Sequence, residues 1–157
     1  MLFRSEAGSL EEDWYFQALQ ECYLPLLRAL EAAEADPEQC PRLTIGLSPT
    51  LLSLLSDGGL NEGFLPWLRV RRDLLAEAPA ALREPADALA EELDTVAREW
   101  RQCEGNLLER FRRLRQAGVL DLITCAATHG YLPVLRDCPE AVRAQLLTAV
   151  REHQRQI

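Results

Sequence analysis

The apolar run from Val119 to Ala126 lies between Gly118 and Gly130 and is too short for a helix. It reads as a buried strand. The turn Thr128-His129-Gly130-Tyr131 follows, and a new helix begins beyond it. A titratable ring, hydroxyls and an aromatic side chain therefore meet where a strand ends, which is where α/β folds build their sites. Arg42 to Leu47 is a second run of the same character. Both runs are apolar on both faces rather than alternating, the pattern of strands inside a parallel sheet covered by helices. Parallel strands need a crossover, and the helical sequence between Leu47 and Val119 supplies one.

Ser9-Leu10-Glu11-Glu12 fits a capping box and predicts a helix start. Its apolar stripe is Tyr15, Leu19, Cys22, Tyr23, Leu26, Leu27 and Leu30. Pro25 should kink or split this helix, which ends before Asp36-Pro37. Ser48-Pro49 opens a short helix with a serine cap and a proline in its first turn, and Asp57-Gly58-Gly59 stops it. A third helix begins near Leu60, with Phe64, Trp67, Leu68, Leu74 and Leu75 inward. The longest helical signal follows Glu84-Pro85. Leu89, Leu93, Val96, Trp100, Cys103, Leu107, Phe111 and Leu114 recur at steps of three and four, and Gly118 is the stop. This spacing resembles a coiled-coil seam, but a hairpin against the segment from Leu60 to Leu75 explains it equally well. Pro139 starts the last helix, with Val142, Leu146, Val150 and His153 on one face.

The chain of 157 residues is long enough for one domain with a core. A net charge of −8 argues against nucleic acid, because phosphate binding needs clustered Lys and Arg. No apolar run reaches membrane-spanning length, and the first residues lack the apolar core of a secretion signal. Five scattered cysteines, Cys22, Cys40, Cys103, Cys125 and Cys138, read as reduced thiols in a cytoplasmic protein. No cofactor is expected. Cys125 and His129 have a spacing seen in some metal sites, yet no second Cys/His pair accompanies them, so a zinc site is not expected.

Two short parallel strands leave both edges of their sheet open and are marginal by themselves. The helices here exceed what two strands can organise. The expectation is an α/β fold, mostly helical, whose further strands come either from another chain or from sequence before Met1 and after Ile157.

Four segments carry a resemblance. They are Leu10-Glu11-Glu12-Asp13-Trp14 running into Glu21-Cys22-Tyr23-Leu24-Pro25-Leu26-Leu27, then Leu43 to Leu51, then Thr124 to Pro133, and lastly Arg143 to Val150. Ala127-Thr128-His129-Gly130-Tyr131-Leu132-Pro133 is the most specific. Together they resemble the start of the catalytic domain of glycoside hydrolase family 57, nearest the α-1,4-glucan branching enzymes. The likeness covers residues 1–157 apart from a variable helical insertion at 57–118. It implies an incomplete (β/α)7 barrel and a retaining mechanism on α-glucans, which needs two carboxyl groups about 5 Å apart. In this family these are a Glu in a Trp-x-Pro-Glu-Cys segment and a later Asp, and neither segment is present. The opening His-x-His-x-Pro motif is also absent, with Met1-Leu2-Phe3-Arg4-Ser5 where its tail would be. No catalytic residue is therefore carried over. Trp14 and His129 are carried over by motif match as residues lining the glucan cleft.

On the residues alone, His129 either hydrogen-bonds sugar hydroxyls or satisfies a buried backbone group. Trp14 either stacks on a glucose ring or packs in the core, the usual place for a tryptophan in a first helical turn. Thr128 and Tyr131 read as structural, orienting His129 and packing beneath it. Trp67 and Trp100 read as core. Two functions follow. The first is part of an α-1,4-glucan branching enzyme or related α-glucan hydrolase, inactive alone and prone to association through open strand edges. The alternative is a stand-alone helical protein-interaction module without enzymatic activity.

Overall fold

Ser9 closes the capping box expected of it. Its hydroxyl accepts the Glu12 amide at 3.2 Å, and the Glu12 carboxylate accepts the Ser9 amide at 3.2 Å. The computed structural model describes residues 9–35 and 42–157, so Cys40, Asp36-Pro37 and the first eight residues lie outside it. From Ser9 runs α1 (Leu10–Ala18), then a π-helical turn (Leu19–Tyr23), then α2 (Leu24–Glu34). Pro25 has no N–H, and its ring clashes with the carbonyl four residues back in a regular α-helix. The wide turn ends just before it, with the Leu24 amide donating to the Leu19 carbonyl, five residues back. That extra residue changes the inward face. Leu19 and Leu24 are both fully buried, whereas Cys22 is exposed and Tyr23 and Leu26 are only half-buried. The stripe expected through Cys22 is thereby corrected.

The remaining elements are β1 (Leu43–Gly46), α3 (Pro49–Leu55), α4 (Gly58–Asn61), α5 (Phe64–Ala76), α6 (Arg83–Gln102), α7 (Leu107–Gln116), β2 (Leu120–Ile123) and α8 (Pro139–Gln156). Short 3-10 turns occupy Ala80–Leu82 and Leu132–Leu135. The chain divides into two units, Met1–Ala29 with Gly58–Gly105, and Leu30–Asp57 with Asn106–Ile157.

In the first unit α5 packs on α6 as the expected hairpin. Phe16, Phe64 and Trp100 form its aromatic centre. Phe64 meets Trp100 edge-on with centroids 4.7 Å apart, and Phe16 lies 5.7 Å from Phe64. Burying a ring such as Phe64 contributes roughly 2–3 kcal/mol. Trp100 is core as expected and Trp67 is half-buried, but Leu74 points outward at 64% exposure. Gly58 and Gly59, expected to break the chain, begin the single-turn α4. The long helix expected from Leu89 to Leu114 is two helices. Beyond Gln102 the Glu104 amide donates to Arg101 and the Gly105 amide to Trp100, with both residues left-handed (φ 50° and 72°). This is a Schellman ending. Asn106 then caps α7 by accepting the Glu109 amide.

In the second unit β1 and β2 pair in parallel, Leu43 opposite Leu120 through Gly46 opposite Ile123. Gly118 (φ 76°) turns the chain out of α7 into β2, with the Val119 amide donating back to Leu114. The expectation of burial on both faces is not met. Leu120 and Leu122 are buried beside α7, while Asp121, Ile123, Thr44 and Gly46 on the opposite face are exposed. Among the described residues no element covers that face, and the sheet has two strands. The helices α3, α7 and α8 enclose the core of Leu47, Leu52, Leu107, Phe111 and Leu114. The inward residues of α8 are Ala149 and Gln156, both buried, rather than Leu146 and Val150, which are about half exposed.

Candidate functional site

Because β1 and β2 run in parallel, both chains leave the sheet at the same end. Three hydrogen bonds stitch those exits. The Leu47 amide donates to Ile123 at 2.8 Å, the Thr124 hydroxyl to the Leu47 carbonyl at 2.9 Å, and the Thr50 hydroxyl to the Ala127 carbonyl at 3.4 Å. Ser48 caps α3 by accepting the Leu51 amide, as the Ser-Pro pair predicts. The C-terminal edge of the sheet is therefore fixed before the turn at His129 begins.

The turn is tight. The His129 amide donates to the Ala126 carbonyl at 2.8 Å, and His129 takes a left-handed backbone (φ 56°). Few non-glycine residues adopt that conformation, and where they do the surrounding contacts hold it. Gln145 of α8 is the main anchor. Its Oε1 accepts the Thr128 amide, its Nε2 donates to the Thr128 hydroxyl, both at 2.9 Å, and its carbonyl accepts the Ala127 amide at 3.2 Å. Inside the turn, Cys125 Sγ lies 3.0 Å from His129 Nδ1. The imidazole itself is exposed.

Thr128 is structural as expected, though its partner is Gln145. Tyr131 is 73% exposed and does not pack beneath His129. Gln145 was not legible as an anchor, since a glutamine in a polar helix carries no signal until the turn it reaches is known.

Trp14 belongs to the first unit and His129 to the second. Trp14 is the fifth residue of α1 and has 60% of its surface exposed, so it is not a core tryptophan. Its neighbour Asp13 is bound to α5. The Asp13 carboxylate accepts Trp67 Nε1 at 2.7 Å and Arg71 at 2.9 Å, and the Arg71 guanidinium sits 3.9 Å above the Trp67 ring. The Trp67 hydrogen bond, helped by Arg71, holds the Asp13 carboxyl below the ordinary carboxylate range. Trp14 is thus displayed from α1 beside a residue bonded to α5. A groove of about 550 Å³ in the same unit runs between α5 and α6, lined by Leu65, Leu68, Leu93 and Ala97 with Arg69 and Arg101, and does not include Trp14.

Cys22, Cys125 and Cys138 are free thiols. Among the described residues no group of three or more His, Cys, Asp or Glu side chains is placed to hold a metal ion. No described helix is long and apolar enough to cross a membrane.

Comparison with known proteins gives a consistent result. Residues 2–153 match the family model for glycosyl hydrolase family 57. The chain is 30% identical over 148 residues to the 1,4-alpha-glucan branching enzyme of Thermococcus kodakarensis, covering 92% of this chain and 22% of that protein. Its fold superposes on the family-57-type branching enzyme of Pyrococcus horikoshii with a TM-score of 0.87 and 30% identity, over 99% of this chain and 30% of that one. The alpha-amylase AmyC of Thermotoga maritima gives a TM-score of 0.83 at 29% identity, over 96% of this chain and 29% of that one. The chain spans about a quarter of the length of the curated relatives it matches.

Proposed function

The chain belongs to glycosyl hydrolase family 57, and on that footing we propose that its 157 residues serve an α-1,4-glucan branching enzyme by shaping the glucan cleft. The fold class is the one expected of that family, a mostly helical part of a (β/α)7 barrel with two parallel strands in place. The observation that carries the reading is the edge where β1 and β2 both end, with an exposed imidazole at 129 held on a strained, firmly anchored turn. Strain of this kind is maintained where a side chain must be presented. His129 hydrogen-bonds sugar hydroxyls, and Trp14 offers its exposed face to the apolar side of a glucose ring. The free thiols fit a reducing compartment, so we place the protein in the cytoplasm.

These residues bind and position; bond cleavage needs two carboxyl groups that the family carries in segments this sequence lacks. Two measurements on the purified chain test the reading. Maltoheptaose binding, followed by tryptophan fluorescence, should weaken about tenfold in Trp14→Ala and in His129→Ala. Incubation with amylose should yield neither new branch points nor new reducing ends. Unchanged affinity in both variants, or clear turnover by the chain alone, overturns the proposal.

A further inference from the structure

The geometry points to Cys125 as the positioning residue of His129: its thiol donates to Nδ1 and so fixes which ring nitrogen is presented to a sugar hydroxyl. This rests on the glucan-binding role proposed for His129 and adds how that ring is set.

Cys125 Sγ and His129 Nδ1, four positions apart in the chain, are 3.0 Å apart. His129 takes its left-handed backbone in this same turn (φ 56°). A neutral imidazole has one protonated and one bare nitrogen, so whatever occupies Nδ1 decides the state of Nε2. The thiol has one hydrogen and two acceptors in range, Nδ1 at 3.0 Å and the Ala126 carbonyl at 3.4 Å. That carbonyl already accepts the His129 amide at 2.8 Å. Nδ1 is the nearer of the two and the Ala126 carbonyl is already occupied, so the thiol hydrogen is assigned to Nδ1. The ring's own proton then sits on Nε2, across the ring from Cys125, and the exposed side chain offers a sugar oxygen a fixed N–H donor. Cys125 is half-buried and lies two residues beyond the end of β2, next to Thr124, whose hydroxyl is bonded to the Leu47 carbonyl. The same logic makes an outer partner set the tautomer of a metal-bound or catalytic histidine.

Nitrogen-15 spectra of the imidazoles test this in the full chain, which has only His129 and His153 to resolve. Wild type should show Nδ1 of His129 bare and Nε2 protonated. Cys125→Ala should show both tautomers in exchange, and Cys125→Ser, which keeps a donor, should restore the wild-type pattern. Maltoheptaose affinity should fall about two- to tenfold in Cys125→Ala, as expected for one lost neutral hydrogen bond, and recover in Cys125→Ser. A protonated Nδ1 in wild type, ring signals unmoved by Cys125→Ala, or a serine variant matching the alanine one overturns the inference. Wild-type ring signals that respond to Cys125→Ala but not to maltoheptaose would uphold Cys125 while removing the glucan role of His129, so the two failures are distinguishable.

Discussion

Gln145 grips Thr128 at two points, its amide oxygen on the backbone N–H and its amide nitrogen on the hydroxyl, each at 2.9 Å. A side chain on the last helix thus fixes the turn that presents His129. Gln145→Ala should cost about 1–2 kcal/mol, since both hydrogen bonds at Thr128 are lost. Thr128→Ala removes only one of them and should cost about half as much. Urea unfolding of the two variants measures both. Equal costs would place the hold elsewhere.

Trp14 should separate binding from stability. Its ring is 60% exposed, so Trp14→Ala should change unfolding free energy by no more than about 0.5 kcal/mol. Trp67→Ala removes a half-buried ring and the Asp13 hydrogen bond together, and should cost about 2–3 kcal/mol. Thermal and urea unfolding give both values. A large loss from Trp14→Ala would return that residue to the core.

Acid should loosen the fold by a route with a definite sign. The Arg110 hydrogen bonds, with Arg113 adding charge, hold Glu31 below the ordinary carboxylate range, as Arg72 does for Asp94 and Arg155 for Glu152. Their folded values are depressed, so the unfolded chain takes up protons first. The stability they contribute is complete above about pH 5 and is lost as pH falls through about 4 and below. Arg110 meets Glu31 with two bonds, at 2.9 and 2.7 Å. Glu31→Gln should cost about 1 kcal/mol at pH 7 and flatten the acid limb of a plot of stability against pH. An unchanged slope would exclude this pair as a source of acid sensitivity.

The turn between α6 and α7 offers opposite outcomes at neighbouring positions. A methyl group on Gly105 would lie 3.1 Å from the Trp100 ring on a left-handed backbone, so Gly105→Ala should destabilise by about 1–2 kcal/mol. Glu104 already bears that strain at φ 50°, and Glu104→Gly should stabilise by up to about 1 kcal/mol. Melting temperatures of the two variants should move in opposite directions.

What the sequence made legible was local and chemically explicit. Ser9 with Glu12, Ser48 with Pro49, Gly118, and the two apolar runs each act through their own backbone, and each does what its chemistry requires. What escaped depends on distant partners. The steps of three and four run from Val96 through Cys103 to Leu107 without a break. Only Glu104 and Gly105, adopting left-handed φ against Trp100, divide them. Apolar periodicity put Leu146 and Val150 on the inward face of α8, yet the helix turns Ala149 and Gln156 inward, because Gln156 reaches Ser56 and Arg112 reaches the Gln156 carbonyl. The apolar strands implied cover on both faces, and only one face is covered. At the candidate site the histidine and its turn were readable, while the thiol contact at Nδ1 and the glutamine anchor appear only once the turn is closed.

The wide turn at Leu19–Tyr23 has a consequence for how this helix tolerates changes in length. Elsewhere in a helix, deleting one residue rotates everything beyond it by about 100° and carries buried side chains into water. Within this turn a deletion removes the surplus residue and keeps Leu24 on the side of Leu19, at the cost of setting Pro25 against the carbonyl four residues back. Nearly all of the first helical stretch is therefore closed to gaps in its sequence, and this one turn can lose a residue while both halves stay in phase.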